Sequence, residues 1–260
     1  MTEIVRTRRD GAIFEVTLDR PKANAIDADT SRRLGEAFAR FRDDAELRVA
    51  IVTGGGEKFF CAGWDLIAAA RGEPQDADYG VGGFGGLQEL PGLNKPVIAA
   101  VNGMAVGGGF ELALSADLII AAPHARFSLP EINAGTLAEA ATIRLPRRIP
   151  WHAAMELLLL GRWLSAEEAR ARGIVTAIAP PGELMAEART LARTLAQGPP
   201  LVLQAIKEVA RESEAMRFGE AMEAIRRRRF PAVARLYASA DQREGARAFR
   251  DKRAPTWHGR

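Results

Sequence analysis

The sequence predicts an α/β protein whose last third is helical. Three observations predict it: short apolar runs that alternate with amphipathic helical segments, glycine clusters that follow those runs, and a C-terminal stretch in which helical spacing dominates. Strands interleaved with helices favour parallel pairing through right-handed crossovers, with ligands held at the carboxyl ends of the strands. The 260 residues, 47% hydrophobic and 27% charged, suffice for one large core with an extension.

Each element has its own signal. Ala12 to Leu18 alternates as a strand, Asp29 to Phe41 has the spacing of an amphipathic helix, and Val49 to Thr53 reads as a short buried strand. Ala70 to Gly86 is polar and glycine-rich with few apolar anchors, which predicts a mobile loop or lid. Val97 to Val101 is a β-rich run broken by Asn102 and Gly103. Gly107, Gly108 and Gly109 then lead into FELALSAD, which is helical in spacing, and Leu118 to Ala121 restores the strand pattern. From Pro150 onward the reading is helical through Ala186 to Ala196, Leu201 to Arg211 and Ala221 to Ala238, with a strand-like stretch at Gly173 to Ile178. The sequence carries no visible internal repeat.

Composition narrows the function classes. Met1 to Asp10 has no apolar core for a signal peptide, and the long apolar run after Val97 is interrupted by Asn102, Glu111 and Asp117, so neither secretion nor a membrane span is expected. The single cysteine, Cys61, rules out an internal disulfide, no Cys/His cluster has metal-ligand spacing, and a reducing cytoplasm fits best. The net charge is +3, and the run Arg226 to Arg229 invites a nucleic-acid reading. It lacks interleaved aromatics, and basic residues elsewhere alternate with acids as on solvated helix faces, so nucleic acid is not the expected main ligand.

Three local patterns carry chemistry. Gly107 to Gly109 precede a helix N-terminus, where backbone N–H groups approach a ligand unhindered by a Cβ and the helix end adds partial positive charge. Glu111 sits beside them as an acid or base; an ordinary strand-to-helix turn with a solvated glutamate explains the same residues. Phe59 to Asp65, FFCAGWD, supplies a second exposed turn, or a loop that closes an αβ unit. Phe127 to Glu131, FSLPE, presents Glu131 stiffly behind Pro130, or begins a helix with a first-turn acid. A dinucleotide fingerprint is excluded, because the glycine triplet has the wrong spacing and lies far from the N-terminus.

Taken in order, DRPKANAID (19–27), FFCAGWD (59–65), KPVIAAVNGMAVGGGFELALSADLIIA (95–121), FSLPE (127–131) and the terminal FRDKRAPTWHGR resemble the enoyl-CoA hydratase/isomerase, or crotonase, superfamily over nearly the whole chain. KANAID, EKFFCAGWDL, GGGFELALSAD and LPE most resemble a branch that interconverts carnitinyl-CoA and crotonobetainyl-CoA. The resemblance implies a crotonase-like fold of ββα units with mostly parallel twisted sheets and a C-terminal helical trimerisation region. Residues 1–195 would form the core with the acyl-CoA site, and 196–260 a helical region for oligomer contacts and closure of the CoA site. It further implies a hydro-lyase that takes coenzyme A as part of its substrate, with no separate cofactor and no metal, in homotrimers or dimers of trimers.

Carried over residue by residue, the backbone N–H groups of Trp64 and Gly108 would hold the thioester oxygen. Glu131 would handle the α-carbon proton and Glu111 the water or leaving hydroxyl. Lys22, Ala23 and Ala25 in the turn around Asn24, with Ala62, Gly63, Asp65, Gly107 and Gly135, would contact CoA or substrate, and Lys252 and Arg253 would meet the phosphates of CoA in a neighbouring subunit. The leucine run ending Met155 to Leu160 suits either a subunit contact or an internal core. Trp64, with Tyr79 and Phe84 on the lid, would face a cationic acyl group, or Trp64 would simply pack on the helix after Asp65.

One stretch departs from the resemblance. The family turn G-x-x-P-D-x-G-G is here Gly135-Thr136-Leu137-Ala138-Glu139-Ala140-Ala141-Thr142, which predicts a more helical and differently aimed segment. Glu139 is then a partner for a cationic acyl group or a solvated helix residue. A general enoyl-CoA hydratase, a specialised or inactive member altered at 135–142, and an RNA-binding protein are the competing readings.

Overall fold

The computed structural model describes residues 3–260, so the first two residues of the Met1 to Asp10 stretch lie outside it. Its strands are β1 (Val5–Asp10), β2 (Ile13–Leu18), β3 (Val49–Gly54), β4 (Phe59–Cys61), β5 (Val97–Val101), β6 (Met104–Val106), β7 (Leu118–Ala121), β8 (Arg126–Ser128), β9 (Leu164–Ser165) and β10 (Ala177–Ile178). The larger sheet runs β1-β2-β3-β5-β7-β10, parallel except for β1 on β2. The smaller runs β4-β6-β8-β9, parallel except for β9 on β8. Every residue of β3 and β5 is buried, which is why both read as continuous apolar runs rather than alternating ones.

The chain lays down one motif three times. A strand enters the larger sheet, the next enters the smaller, and a helix follows: β3, β4 and α2 (Leu66–Ala70); β5, β6 and α3 (Gly108–Ser115); β7, β8 and α4 (Glu131–Ala134). These are the expected ββα units, although the sequence shows no repeat. The helices differ in length, and backbone pairing, which is indifferent to side chains, carries the periodicity. Ahead of the series, α1 (Ala28–Asp43) is capped by Asp27, whose side chain accepts the Thr30 N–H at 2.8 Å, and buries Leu34, Phe38 and Phe41.

The expected lid is only partly a free loop. Gly85 and Gly86 are buried, the Gly85 N–H donates to Ser31 Oγ at 3.1 Å, and Gly86 lies against the Leu34–Gly35 backbone of α1. Glycine content read as mobility therefore marks close backbone approach in the second half of this segment.

Beyond α4 the chain is helical: α5 (Glu139–Arg148), α6 (Trp151–Leu160), α7 (Ala166–Ala171), α8 (Leu184–Gln197), α9 (Pro200–Glu212), α10 (Phe218–Arg226), α11 (Pro231–Ala238) and α12 (Glu244–Arg250). The predicted strand at Gly173 to Ile178 shrinks to β10, because Gly173 is part of the turn that ends α7. The predicted helix at Ala221 to Ala238 is split between α10 and α11, since Pro231 cannot donate within a continuing helix and serves instead as the first residue of a new one. Ala205, Ala224, Phe230, Ala232 and Val233 form a small core of their own, separate from the main core that runs from Val5 to Ala192.

Candidate active site

Three turns leave the carboxyl ends of β4, β6 and β8, which are neighbours in the smaller sheet. Gly63, at φ 82°, lies so close to the second turn that a Cβ would stand 2.7 Å from the Val106 carbonyl oxygen and 2.9 Å from the Gly108 nitrogen. Only glycine accepts both the positive φ and that approach. Trp64 bridges Ile26: the Ile26 N–H donates to the Gly63 carbonyl at 2.8 Å and the Asp65 N–H to the Ile26 carbonyl at 2.9 Å. The Trp64 N–H lies between these two and takes no part. Gly108 opens α3, where helical N–H groups have no partner inside the helix. Among the described residues neither the Trp64 nor the Gly108 amide donates to a backbone carbonyl.

Two glutamates stand beside these amides in different surroundings. Glu111, buried in α3, accepts the Ala141 N–H on Oε1 at 2.9 Å. Burial raises its pKa, the Ala141 and Ala140 amides and the Arg144 guanidinium oppose the rise, and Glu139 adds to it. Arg144 donates to Ser115 Oγ at 2.6 Å and to the Gln88 carbonyl at 2.7 Å, and Ser115 donates to the Glu111 carbonyl at 2.8 Å. Glu131 opens α4, and its Oε1 lies 2.6 Å from the place a Gly107 Cβ would take. Its Oε2 is buried with no hydrogen-bond partner among the described residues. Burial first, and the nearby Glu111 second, push its carboxyl up to about 7. Two amides and a guanidinium thus favour the Glu111 anion against burial, whereas Glu131 has only its own backbone amide to do so.

The altered segment explains part of that contrast. Gly135 ends α4 in the left-handed conformation, and α5 begins at Glu139 rather than throughout 135–142. Its first turn aims the Ala141 amide at Glu111, while Glu139 is exposed. Gly135 is also exposed, with nothing within reach of a Cβ, and so stands apart from the packed turns.

The expected CoA contacts are drawn together by a residue that the sequence reading left without a role of its own. Asn24, buried at φ 53°, donates its amide to the carbonyls of Gly55 and Phe59 at 3.0 and 2.9 Å and accepts the Arg20 N–H at 3.0 Å. That network, with the Ala62 N–H on the Ala23 carbonyl at 3.0 Å, sets Lys22, Ala23 and Ala25 beside Ala62, Gly63 and Asp65. Arg20 pairs with both Asp27 and Asp65 at 2.7 Å, leaving Lys22 as the exposed cation of the turn. Arg20 was missed because its partners are far apart in sequence. At the C-terminus Arg253 is held by Glu244 at 2.6 Å and Lys252 is exposed.

Of the aromatic residues, Phe84 covers Gly108 so closely that a Cβ there would strike its ring, and Tyr79 meets Phe84 edge-on at 5.3 Å. Trp64 directs its indole N–H to Glu73 Oε1 at 3.4 Å. Cys61 is buried and its thiol is pushed up to about 12, which leaves it unsuited to nucleophilic work at neutral pH. The described residues contain no group of His, Cys, Asp and Glu able to hold a metal, and no helix long and apolar enough to cross a membrane.

The sequence profile of the enoyl-CoA hydratase/isomerase family matches residues 8–260. A carnitinyl-CoA dehydratase from Salmonella arizonae is 54% identical over 263 residues, covering 100% of both chains. One from Salmonella typhi is 53% identical over 264 residues with the same coverage. Among solved structures, an enoyl-CoA hydratase from Mycobacterium tuberculosis H37Rv superposes with a TM-score of 0.89 at 40% identity, covering 99% of each chain.

Proposed function

Because this chain belongs to the enoyl-CoA hydratase/isomerase family, we propose that it reversibly adds water to an enoyl-CoA thioester and removes it again, with carnitinyl-CoA and crotonobetainyl-CoA as the pair it interconverts. The observation that carries the chemistry is the unequal pair of glutamates beside the amides of Trp64 and Gly108. In hydration, Glu111 takes a proton from water as the water oxygen bonds to the β-carbon. The electron pair of the double bond moves into an enolate held at the thioester oxygen by the two amides, and Glu131 gives its proton to the α-carbon. Dehydration retraces these steps. Isomerases and hydrolases of this fold often keep a single acid, so the presence of both supports a hydro-lyase.

The choice of acyl group rests on the dehydratases that match the full length at 53–54% identity. The reading also includes CoA contacts from Lys22, Ala23, Ala25, Ala62, Gly63 and Asp65, no cofactor beyond the CoA of the substrate, a cytoplasmic setting, and assembly of three or six copies through helical surfaces that include residues 196–260. A nucleic-acid role for Arg226 to Arg229 finds no support, since Arg226 and Arg227 pair with Glu223 and Arg228 lies 3.5 Å over the Tyr237 ring.

Loss of the enoyl thioester absorbance, followed with crotonobetainyl-CoA and crotonyl-CoA, tests the proposal. Wild type should hydrate at least the cationic thioester, and Glu111→Gln and Glu131→Gln should each lose about 10²- to 10⁴-fold. Equal inactivity of all three proteins on both thioesters would sink it.

A further inference from the structure

Glu73 lies in the segment that was expected to be a mobile loop or lid, yet it ties that segment to the start of α1 and to Trp64. Its two carboxylate oxygens accept the N–H of Ala28, the first residue of α1, at 3.1 and 3.2 Å, and Oε1 also accepts the Trp64 indole N–H. Both donors are neutral, so neither cancels its charge. Arg20, which lines the adjoining cleft with Glu73 and Arg71, is already committed to Asp27 and Asp65, and Arg71 is exposed.

The segment that carries Glu73 also brings two rings to the glycine turn before α3. Trp64 contributes its backbone to the oxyanion turn, Phe84 lies on Gly108, and Tyr79 stands edge-on to Phe84. Burial, and after it the negative charges of Glu73, Glu139 and Asp76, push the Tyr79 hydroxyl up to about 12, so three carboxylates act on this ring. A site made of aromatic faces and negative potential attracts cations. The hydrogen-bond pattern selects among them. A primary ammonium must donate several N–H groups when it loses water, and Glu73 already commits three of its roughly four acceptor positions to Ala28 and Trp64. A quaternary ammonium donates nothing and needs only the field and the ring faces.

On the reading that this is an acyl-CoA site, we infer that Glu73 and Trp64 form a specificity-determining pair that favours acyl groups carrying a fixed positive charge over neutral acyl groups of the same length. Glu73 orients the indole and supplies the charge, and the indole supplies the surface.

Binding of saturated thioesters tests this apart from catalysis, because they have no double bond to hydrate. Calorimetry with butyrobetainyl-CoA and butyryl-CoA should show wild type preferring the cationic thioester by about tenfold, the amount that one cation–π contact with partial desolvation provides. Glu73→Gln keeps the shape of the side chain and an acceptor for Ala28, and should remove most of that preference. Trp64→Leu should do the same while leaving the backbone amide in place. Equal affinity of wild type for the two thioesters, or equal losses on both in either variant, overturns the pair as a selector. Discrimination in binding by a protein that hydrates neither crotonobetainyl-CoA nor crotonyl-CoA would sink the hydro-lyase reading and keep this one.

Discussion

Glu131 combines a buried, unpartnered oxygen with a pKa pushed up to about 7, and two consequences follow at the scale of one residue. The first concerns rate. On the proposed assignment hydration needs Glu131 protonated and Glu111 ionised, while dehydration needs the reverse, and both are forms of the same singly protonated pair. The overall reaction takes up no proton, so its equilibrium constant does not vary with pH and kcat/KM must follow one profile in both directions. That profile should fall above about pH 7 as the second proton leaves, and fall again on the acid side where Glu111 gains one. A kcat/KM that stays level from pH 6 to pH 9 would contradict the assignment. The second concerns stability. A carboxyl whose folded pKa is raised lowers stability wherever the unfolded chain has ionised and the folded one resists. The cost is absent below the ordinary value of 4.5, grows from there to about 7, and is fully present above it. Glu131→Gln should therefore unfold at the same denaturant midpoint as wild type near pH 4 and at a higher one near pH 8, by about 1 to 2 kcal/mol once partial solvent access is allowed for.

The first turn of α5 is the element on which Glu111 depends. Its Ala141 amide is the donor that holds the carboxylate, and proline at this early helical position removes the N–H while a fixed φ suits the helix. Ala141→Pro should deprive Glu111 of about 1.5 to 3 kcal/mol of charge-directed hydrogen bonding, raise its pKa further and move the acid limb of the kcat/KM profile upward. Loss of rate with an unmoved limb would show that the amide only packs the turn. Nothing in the triplet or in LPE foretold this donor, because it belongs to a helix thirty positions downstream of Glu111. What the sequence did make legible was local: the all-buried strands β3 and β5, the largely buried strand β7, the amphipathic helix α1, and the glycine turn before α3. The edge strand β1, VRTRRD, escaped because its pairing with β2 leaves most of its side chains exposed and charged. The two glutamates and the two amides were assigned through resemblance of ordered motifs. Asn24, Arg20, Arg144 and Glu73 were not, since each gains its role from partners that only folding brings near.

At the scale of the whole molecule, the segment bearing the site also bears an uncovered apolar face. Ile132 on α4, Leu137 before α5, Ile143 on α5, and Trp151, Leu159 and Leu160 on α6 are each at least half exposed, and α6 packs against both α4 and α5. The run of four leucines thus divides: Leu157 is fully buried in the core, while Leu159 at 61% and Leu160 at 66% face outward. Apolar surface on this scale, collected on neighbouring elements, is characteristic of a contact between proteins, and closed symmetry is the common way for identical chains to cover it. The proposed assembly therefore predicts that wild type sediments as three or more copies and that a Leu159→Glu, Leu160→Glu double variant sediments as a smaller species. Because both side chains point away from the core, the variant monomer should keep its far-ultraviolet circular dichroism. The α4 and α5 segments carry Glu131 and the Ala141 amide, so loss of neighbours should also reduce turnover, and raising the variant's concentration should restore mass and activity together. A wild type that sediments as a single chain at the concentrations used for assay would refute the assembly while leaving the chemistry of the two glutamates untouched.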